Sequence, residues 1–434
     1  MTTPDFDVVV VGAGPAGAAA ALTAAREGAR VVMVERGPFP GAKNVYGGVV
    51  YPRVLDDVLP GWWEEVPVQR WVTRRQTMLL TGTQALTVDF RTEDWGAAPY
   101  NGCTTYRADF DAWLAGKAVE AGADLVTSTV ATGLIREGGR VVGVTTDRPH
   151  GDLRAQVVIA ADGVNSFLAK EAGILPRTQP DHLTLGVKEV LALPREVIDE
   201  RFGVTGEHGV DIEILGCTRG VPGGGFVYTN RDTVAIGIVI GLAGLAEAKV
   251  RAEDLIADLK AHPAVEPLVK GGEVVEYAAH LIPEGGYHEI PELHHDGFLL
   301  TGDAAGLTLA AGIWLEGVNF AIGSGLAAGT AAAQAIQAGD VSKRGLSSYR
   351  KSLERSFVLQ DHKRLRHAPE LVFSSRVQQQ YPGLVADIVQ GLFTVNNPEA
   401  KPAFSRLVRR SAKANGVRFR DLLVDAAKGA RAFR

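Results

Sequence analysis

At 434 residues the chain is too long for one ordinary domain and fits roughly two or three. Its apolar share of 46% and charged share of 22% are those of a soluble globular protein. The two cysteines, Cys103 and Cys217, exclude a disulfide scaffold, a four-cysteine zinc site and a self-contained iron–sulfur cluster. A formal charge of −5 gives no argument for nucleic acid. Glycine, 51 residues or about 12% against a usual ~7%, points to many tight turns and close backbone approaches around a ligand.

The N-terminus carries no basic leader, and Asp5 and Asp7 flank the place where an apolar leader core would begin. Phe6 to Val11 is a β-branched run that reads as a strand buried on both faces. Gly12-Ala13-Gly14-Pro15-Ala16-Gly17 follows, then an alanine-rich helix to about Glu27 and a second buried strand, Arg30 to Glu35. Asp124 to Val144 reads as a hairpin pair around Glu137-Gly138-Gly139, and Ala155–Ala160 and Gly297–Thr301 as further strands. From about Leu183 to Leu281 alternating strands dominate with few helical patterns, which reads as a mostly antiparallel domain inserted into an α/β domain. After Gly339 the chain turns helical. Residues 399–434 hold ten Lys/Arg against three Asp/Glu, a net of +7, so the remainder carries −12. The apolar stretch Ala304–Ala333 is interrupted by Glu316 and Asn319, and falls short of the ~18 continuous apolar residues of a membrane span. The expectation is a cytoplasmic protein, peripheral on the inner face of the cell membrane.

A G-x-G-x-x-G is weak evidence alone. Here Gly12, Gly14 and Gly17 follow a strand and open a helix through Pro15 and Ala16, and Glu35 ends the next strand eighteen residues later. That is the context a dinucleotide site requires: a tight turn at Gly12, close phosphate approach at Gly14, and helix–strand packing at Gly17. The helix N-terminus would face the pyrophosphate, and Glu35, beside Arg36, the adenosine ribose hydroxyls. Two later segments select the nucleotide. Val158–Ser166 (VIAADGVNS) and Phe298–Gly306 (FLLTGDAAG) are buried strands running into an acidic residue beside glycine. With them the chain resembles glutathione-reductase-type flavoproteins, which implies FAD. In that resemblance Asp162 and Gly163 lie on the pyrophosphate side. Gly302 and Asp303 reach the ribityl chain, and Asp303 as a plain helix cap is the competing reading. Gly323-Ser324-Gly325 nearly spells a second fingerprint, but no strand precedes it, so close helix packing is expected there.

Three segments narrow the family: Tyr46-Gly47-Gly48, the run Tyr106–Leu114 (YRADFDAWL), and Trp314–Gly325 (WLEGVNFAIGSG). On these the chain resembles, over nearly its whole length, the electron-transfer flavoprotein:quinone oxidoreductases, most closely their FixC branch, with geranylgeranyl reductases as relatives. The resemblance implies an α/β fold: a glutathione-reductase-type FAD-binding Rossmann domain (1–70, 100–175 and 290–340), an inserted, mostly antiparallel β substrate/quinone domain (71–99 and 176–289), and a helical C-terminal region (341–434) with a basic tail. It implies backbone contacts to the flavin near Gly47, Gly48, Gly312, Gly317, Val318 and Asn319. Arg107 either steadies the cofactor or pairs with Asp109 or Asp111. No side-chain catalyst is expected, because the flavin carries the chemistry.

The implied activity takes electrons from an electron-transfer flavoprotein (α/β subunits) to the quinone pool. Single-chain members of the family end in a ferredoxin-like domain. With two cysteines this chain has none, so the cluster is expected on a separate ferredoxin-like, FixX-type 4Fe–4S chain. Alternatives are a geranylgeranyl (prenyl) reductase, an NAD(P)H-dependent flavin hydroxylase, and a relay subunit without turnover of its own. Several residues carry two readings. Glu316 lines the ring pocket or bridges to a base, and Tyr46 lines the flavin pocket or packs. Trp62-Trp63 rests at a membrane interface or packs in the core. The basic C-terminal tract docks on lipid or partner, or is a solvated helix face. Cys103 and Cys217 are expected to be inert, and His294-His295 a solvated turn rather than a metal site.

Overall fold

The structure, a computed structural model, describes residues 4–42, 48–175, 180–312 and 314–434. Two sheets organise it. In the first, strand Phe6–Val11 is central, parallel to Val31–Val34 on one side and Leu153–Ala160 on the other. Asp124–Val126 and Phe298–Leu300 extend the sheet in parallel, and His294–His295 closes the latter edge antiparallel. Val8, Val9 and Val10 are wholly buried, which explains why these strands are unbroken apolar runs rather than alternating ones.

The first helix, Pro15–Arg26, packs against Arg107–Glu120 and along the long helix Val318–Gln337. The crossing with the long helix is made by glycine. A Cβ on Gly325 would stand 2.1 Å from the Ala16 carbonyl oxygen, and one on Gly329 2.1 Å from that of Ala20. The Thr23 hydroxyl also donates across the seam to the Leu326 carbonyl at 3.1 Å. The near-fingerprint at Gly323–Gly325 is thus a helix-packing surface. The expected hairpin beginning at Asp124 is corrected. Asp124–Val126 pairs with Val32–Val34 in the main sheet, and the hairpin is Ala131–Glu137 with Arg140–Thr146. The residues 127–130 between them break the pairing. His294–His295 is likewise an edge strand, not a turn.

The second sheet has the order Glu273–Pro283, Leu183–Ala192, Thr233–Gly241, Gly223–Thr229, His208–Leu215, Arg70–Leu80, Cys103–Thr105, Gly48–Val50, with Ala85–Arg91 hairpinned onto Arg70–Leu80. It is antiparallel except where His208–Leu215 runs parallel to Arg70–Leu80, Asp211 opposite Arg75. Two of its short strands, Gly48–Val50 and Cys103–Thr105, come from segments the sequence assigns to the nucleotide-binding part. One face (Val187, Ile212, Ile214, Val227, Ile236, Ile238) forms its own apolar core with the helices Arg195–Phe202 and Ala252–Ala261. These helices, with Leu242–Ala248 and Glu266–Val269, exceed the few helical patterns expected between 183 and 281. They are short, and Arg195–Phe202 buries only Ile198 and Phe202, so no apolar period stands out in its sequence. The opposite face carries Arg75, Asp211, Glu213, Phe226, Tyr228 and Lys188 toward the nucleotide-binding part. There Tyr106 and Thr233 share a hydrogen bond between the two units.

Helices follow from Ser348 to the C-terminus. Arg376 joins two of them, bidentate to Asp425 at 2.5 and 2.6 Å. Gly325→Ala should cost about 1–3 kcal/mol by forcing the helix crossing apart. Gly116→Ala, in a helix where the new methyl meets nothing within 4 Å, should instead stabilise by about 0.5–1 kcal/mol. Urea unfolding of the two variants checks the opposite signs.

Candidate cofactor site and adjoining cleft

Gly12, at φ +97°, has a Cβ position only 2.3 Å from the Ala161 carbonyl oxygen, and that of Gly17 lies 1.8 Å from the Gly12 oxygen. These two glycines are closed by protein. Gly14 differs: nothing approaches its Cβ position closer than Asp111 Oδ2 at 3.9 Å, so the loop is open there. Gly14 caps the first helix without a side-chain hydrogen bond, and Pro15 opens it. The first-turn N–H groups, with the helix dipole, therefore point at the open side, the arrangement that holds a phosphate. Glu35 is buried at the end of Val31–Val34. Its Oε2 accepts from the Ala13 N–H at 3.0 Å and its Oε1 from the Gly37 N–H at 2.7 Å. Glu35 thereby ties the glycine loop to the next strand, while each oxygen keeps a second acceptor direction for a ligand hydroxyl. Arg36 beside it is exposed.

Below Gly14 lies a buried ion pair. Arg107 donates to Asp111 from Nε at 2.7 Å and from Nη2 at 2.9 Å, and Asp111 is wholly buried. The sequence left Asp109 and Asp111 open as partners, and i,i+4 geometry on the helix selects Asp111. Burial pushes the Asp111 carboxyl up, Arg107 opposes this, and Glu35 and Asp303 add to it. Burial also raises Asp303, again against Arg107. One guanidinium therefore serves two carboxyl groups, Asp111 and Asp303.

Asp303 sits on the turn Gly302–Ala305 after strand Phe298–Leu300, a turn capped by Thr301 and not by Asp303. The turn has its own support: Ser324 Oγ accepts from Thr301 Oγ1 at 2.8 Å and from the Gly302 N–H at 3.1 Å. Sequence reasoning placed Ser324 in the packing helix but missed this role. Asp162 is engaged locally, accepting from Ser166 Oγ at 2.6 Å and the Leu168 N–H at 3.3 Å, so it shapes the turn, while Gly163 presents open backbone. Gly48 opens a short strand opposite Thr105. Tyr46 and Gly47 lie outside the described residues. Gly312 follows the strand Leu309–Ala310, and Gly317 caps the long helix that begins with Val318 and Asn319. Asn319 Nδ2 reaches back to Glu316 Oε2.

Beside this helix start is a cleft of about 660 Å³ whose walls include Tyr51, Arg75, Trp314, Glu316, Asn319 and Phe357. Arg75 binds two carboxylates from the neighbouring strand, Asp211 Oδ2 at 3.4 Å from its Nε and Glu213 Oε1 from its Nη2. Burial raises both carboxyls, and Asp211 raises Glu213 further. Glu316 is also raised by burial. Glu316 thus lines this cleft, hydrogen-bonded to Asn319. On the same sheet face, burial lowers Lys188 and His280, with Arg107 adding to both.

The remaining candidates are structural. Trp62 packs in the core, its Nε1 donating to Asp56 at 2.7 Å, edge-on to Trp63 and Trp71. Burial pushes the Cys103 and Cys217 thiols up to about 12, leaving them protonated and unreactive.

Three family models match the chain: FAD dependent oxidoreductase over residues 7–174, ETF-QO ubiquinone-binding over 183–282, and ETF-QO/FixC family C-terminal domain over 368–434. A probable electron transfer flavoprotein-quinone oxidoreductase of Escherichia coli, YdiS, is 40% identical over 435 residues, covering 100% of both chains. Protein FixC of Salmonella typhi is 40% identical over 431 residues, 99% of both. Among solved structures, a geranylgeranyl bacteriochlorophyll reductase-like protein from Thermoplasma acidophilum superposes with a TM-score of 0.72 at 23% identity, over 94% of this chain and 98% of that one. That likeness is one of fold.

Arg107→Met would leave Asp111 buried without its cation and should cost about 3–5 kcal/mol. Arg107→Met with Asp111→Leu should recover most of that loss. Equilibrium unfolding of the two variants measures the difference; equal losses in both would show that the pair is not the source.

Proposed function

The chain belongs to the FixC and electron-transfer flavoprotein–quinone oxidoreductase family of FAD-dependent oxidoreductases, and on that premise we propose that it passes electrons from an electron-transfer flavoprotein to the quinone pool. One observation carries the reading: the cleft at the helix start that follows the Asp303 turn is walled by Arg75, whose guanidinium is held by Asp211 and Glu213 of the segment matched as quinone-binding. An acceptor in that cleft would lie beside the cofactor's reactive end.

The residues fit FAD. Gly12, Gly14 and Gly17, with the helix start at Pro15 and Ala16, would cradle the pyrophosphate with Gly163 opposite. Glu35 would take the adenosine ribose, with Arg36 at the rim. Gly302 and Asp303 would bind the ribityl chain. The backbone at Gly48, Gly312 and Gly317 to Asn319 would border the ring. Arg107 would act through Asp111 and Asp303, fixing their positions and offsetting their charge. When bound, the flavin exchanges one or two electrons and so links a one-electron donor to a two-electron acceptor. The residue division into FAD-binding, quinone and C-terminal parts, with the boundaries given above, belongs to the same reading.

A ferredoxin-like FixX-type chain would supply the cluster that two cysteines cannot hold. Among the described residues no helix is long and apolar enough to cross a membrane. Peripheral docking on the inner face of the cell membrane is supported by the helix Phe404–Ala414. It buries Leu407, Ser411 and Ala412 and exposes Arg406, Arg409, Arg410 and Lys413 at helical spacing. Phe393 (82% exposed) and Phe404 lie exposed near it in sequence. Cations beside exposed aromatics suit an anionic lipid surface.

In an anaerobic titration, reduced electron-transfer flavoprotein should bleach the bound FAD while NADPH leaves it oxidised; rapid bleaching by NADPH would favour a hydroxylase instead. Replacing Arg406, Arg409 and Arg410 by Glu should weaken co-sedimentation with anionic vesicles at least tenfold, at roughly 1 kcal/mol per cation. Unchanged sedimentation would remove the docking face from the reading.

A further inference from the structure

Reduction of a quinone takes up two protons as well as two electrons, and the protons have to be delivered to its carbonyl oxygens. Glu316 and Asp56 line the cleft where that acceptor would sit, and Asp211 and Glu213 are held by Arg75 of its wall. Glu316 forms part of its wall, at the end of the two-residue strand Leu315–Glu316 opposite Leu309. One of its oxygens accepts from Asn319, which leaves the other for a proton. Asp211 and Glu213 stand behind Arg75, on alternate positions of one strand, so both face the same way and share one guanidinium. One cation offsets one carboxylate; the second is relieved by holding a proton.

We propose that Glu316 is the proton donor to an acceptor reduced in this cleft, and that the Asp211–Glu213 pair is the store of the second proton. The inference rests on the quinone reading above. Atoms balance as follows. Two carboxyl O–H bonds break and two O–H bonds form at the carbonyl oxygens of the acceptor; reduced flavin would supply the two electrons and release its own proton to water, and both carboxylates are reprotonated from water. The groups facing Glu316 are Arg75 from strand Arg70–Leu80, Tyr51, Arg53 and Asp56 from the turn before it, Asn319 from the long helix, and Asp361 from helix Phe357–Arg364. Burial, opposed by the Asn319 hydrogen bond and by Arg75 and aided by Asp361, raises the Glu316 carboxyl above an ordinary glutamate, so it stays protonated to higher pH. Tyr51, under Arg75 at 6.0 Å from its ring centre, is raised by burial and stays a neutral hydroxyl.

The test uses the FAD-loaded protein, wild type and Glu316→Gln, with two readouts. The first is infrared: the wild type should show a protonated-carboxyl C=O band at neutral pH that Glu316→Gln lacks. The second is the rate at which a water-soluble ubiquinone analogue oxidises the reduced protein, divided by the rate for ferrocenium, which takes an electron without a proton. That ratio should fall at least tenfold in Glu316→Gln. In the wild type it should decline as pH rises through the raised carboxyl range, because only the protonated acid donates. Loss of the band without a fall in the ratio, or a fall without loss of the band, overturns the proposal. If the wild type is not oxidised by the analogue at all, the quinone reading fails and the proposal with it. Glu213→Gln, a variant remote from the helix start, gives a second measure. Its ratio should fall at least threefold, and an unchanged value overturns the role of the pair.

Discussion

The Arg107 guanidinium grips Asp111 under the open side of the glycine loop, with Asp303 in its field and Glu35 acting on Asp111 from the second strand. Each carboxyl belongs to a different part of the chain. Glu35 ends the second strand and holds the Ala13 and Gly37 amides, Asp111 lies on the helix after Arg107, and Asp303 rides the turn before the long helix. Burial pushes the Asp111 and Asp303 carboxyls up, and the one guanidinium opposes that at both. The arginine therefore lets the loop, the helix and the turn converge. A negatively charged nucleotide then meets N–H groups on one side and the Arg107–Asp111 pair on the other.

Glycine gives the same site its dimensions. Gly12 and Gly17 are occupied by backbone, Gly14 is left open, and Gly325 and Gly329 bring the long helix onto the first one at backbone contact. These glycines thus have two uses, one facing the ligand and one holding the helices close enough for the Asp303 turn to reach it, while others, such as Gly61, Gly138 and Gly339, form positive-φ turns elsewhere. The support of that turn by Ser324 joins the two, since Ser324 lies on the same long helix.

Much of this was legible in the chain. The fingerprint, the acidic ends of three buried strands and the helical C-terminus are local patterns whose physics acts within a few residues. What escaped depends on distant partners. The alternation in Val210–Leu215 (VDIEIL) puts Asp211 and Glu213 on one face of a strand without saying what covers that face. In the fold that face is covered, because parallel pairing brings Arg75, 136 positions earlier, opposite Asp211. Register over that distance leaves no mark in either segment alone. Of the short helices between 183 and 281, Arg195–Phe202 and Glu266–Val269 bury only one or two side chains and set no period. Ala252–Ala261, with Ala252, Leu255, Ile256 and Leu259 buried, instead carries a helical period that the strand reading passed over. Asp124–Val126 was drawn into the wrong hairpin because a three-residue strand carries too little pattern to name its partner.

The central claim is that one protein joins an FAD site to an acceptor cleft across the start of the long helix, and the most direct test is to locate the acceptor. A photoreactive ubiquinone analogue, irradiated with the FAD-loaded protein and mapped by peptide mass spectrometry, should label peptides containing Tyr51 and Trp314–Asn319, with excess unlabelled quinone abolishing the signal. Labelling confined to other surfaces, or unaffected by competing quinone, would contradict the account.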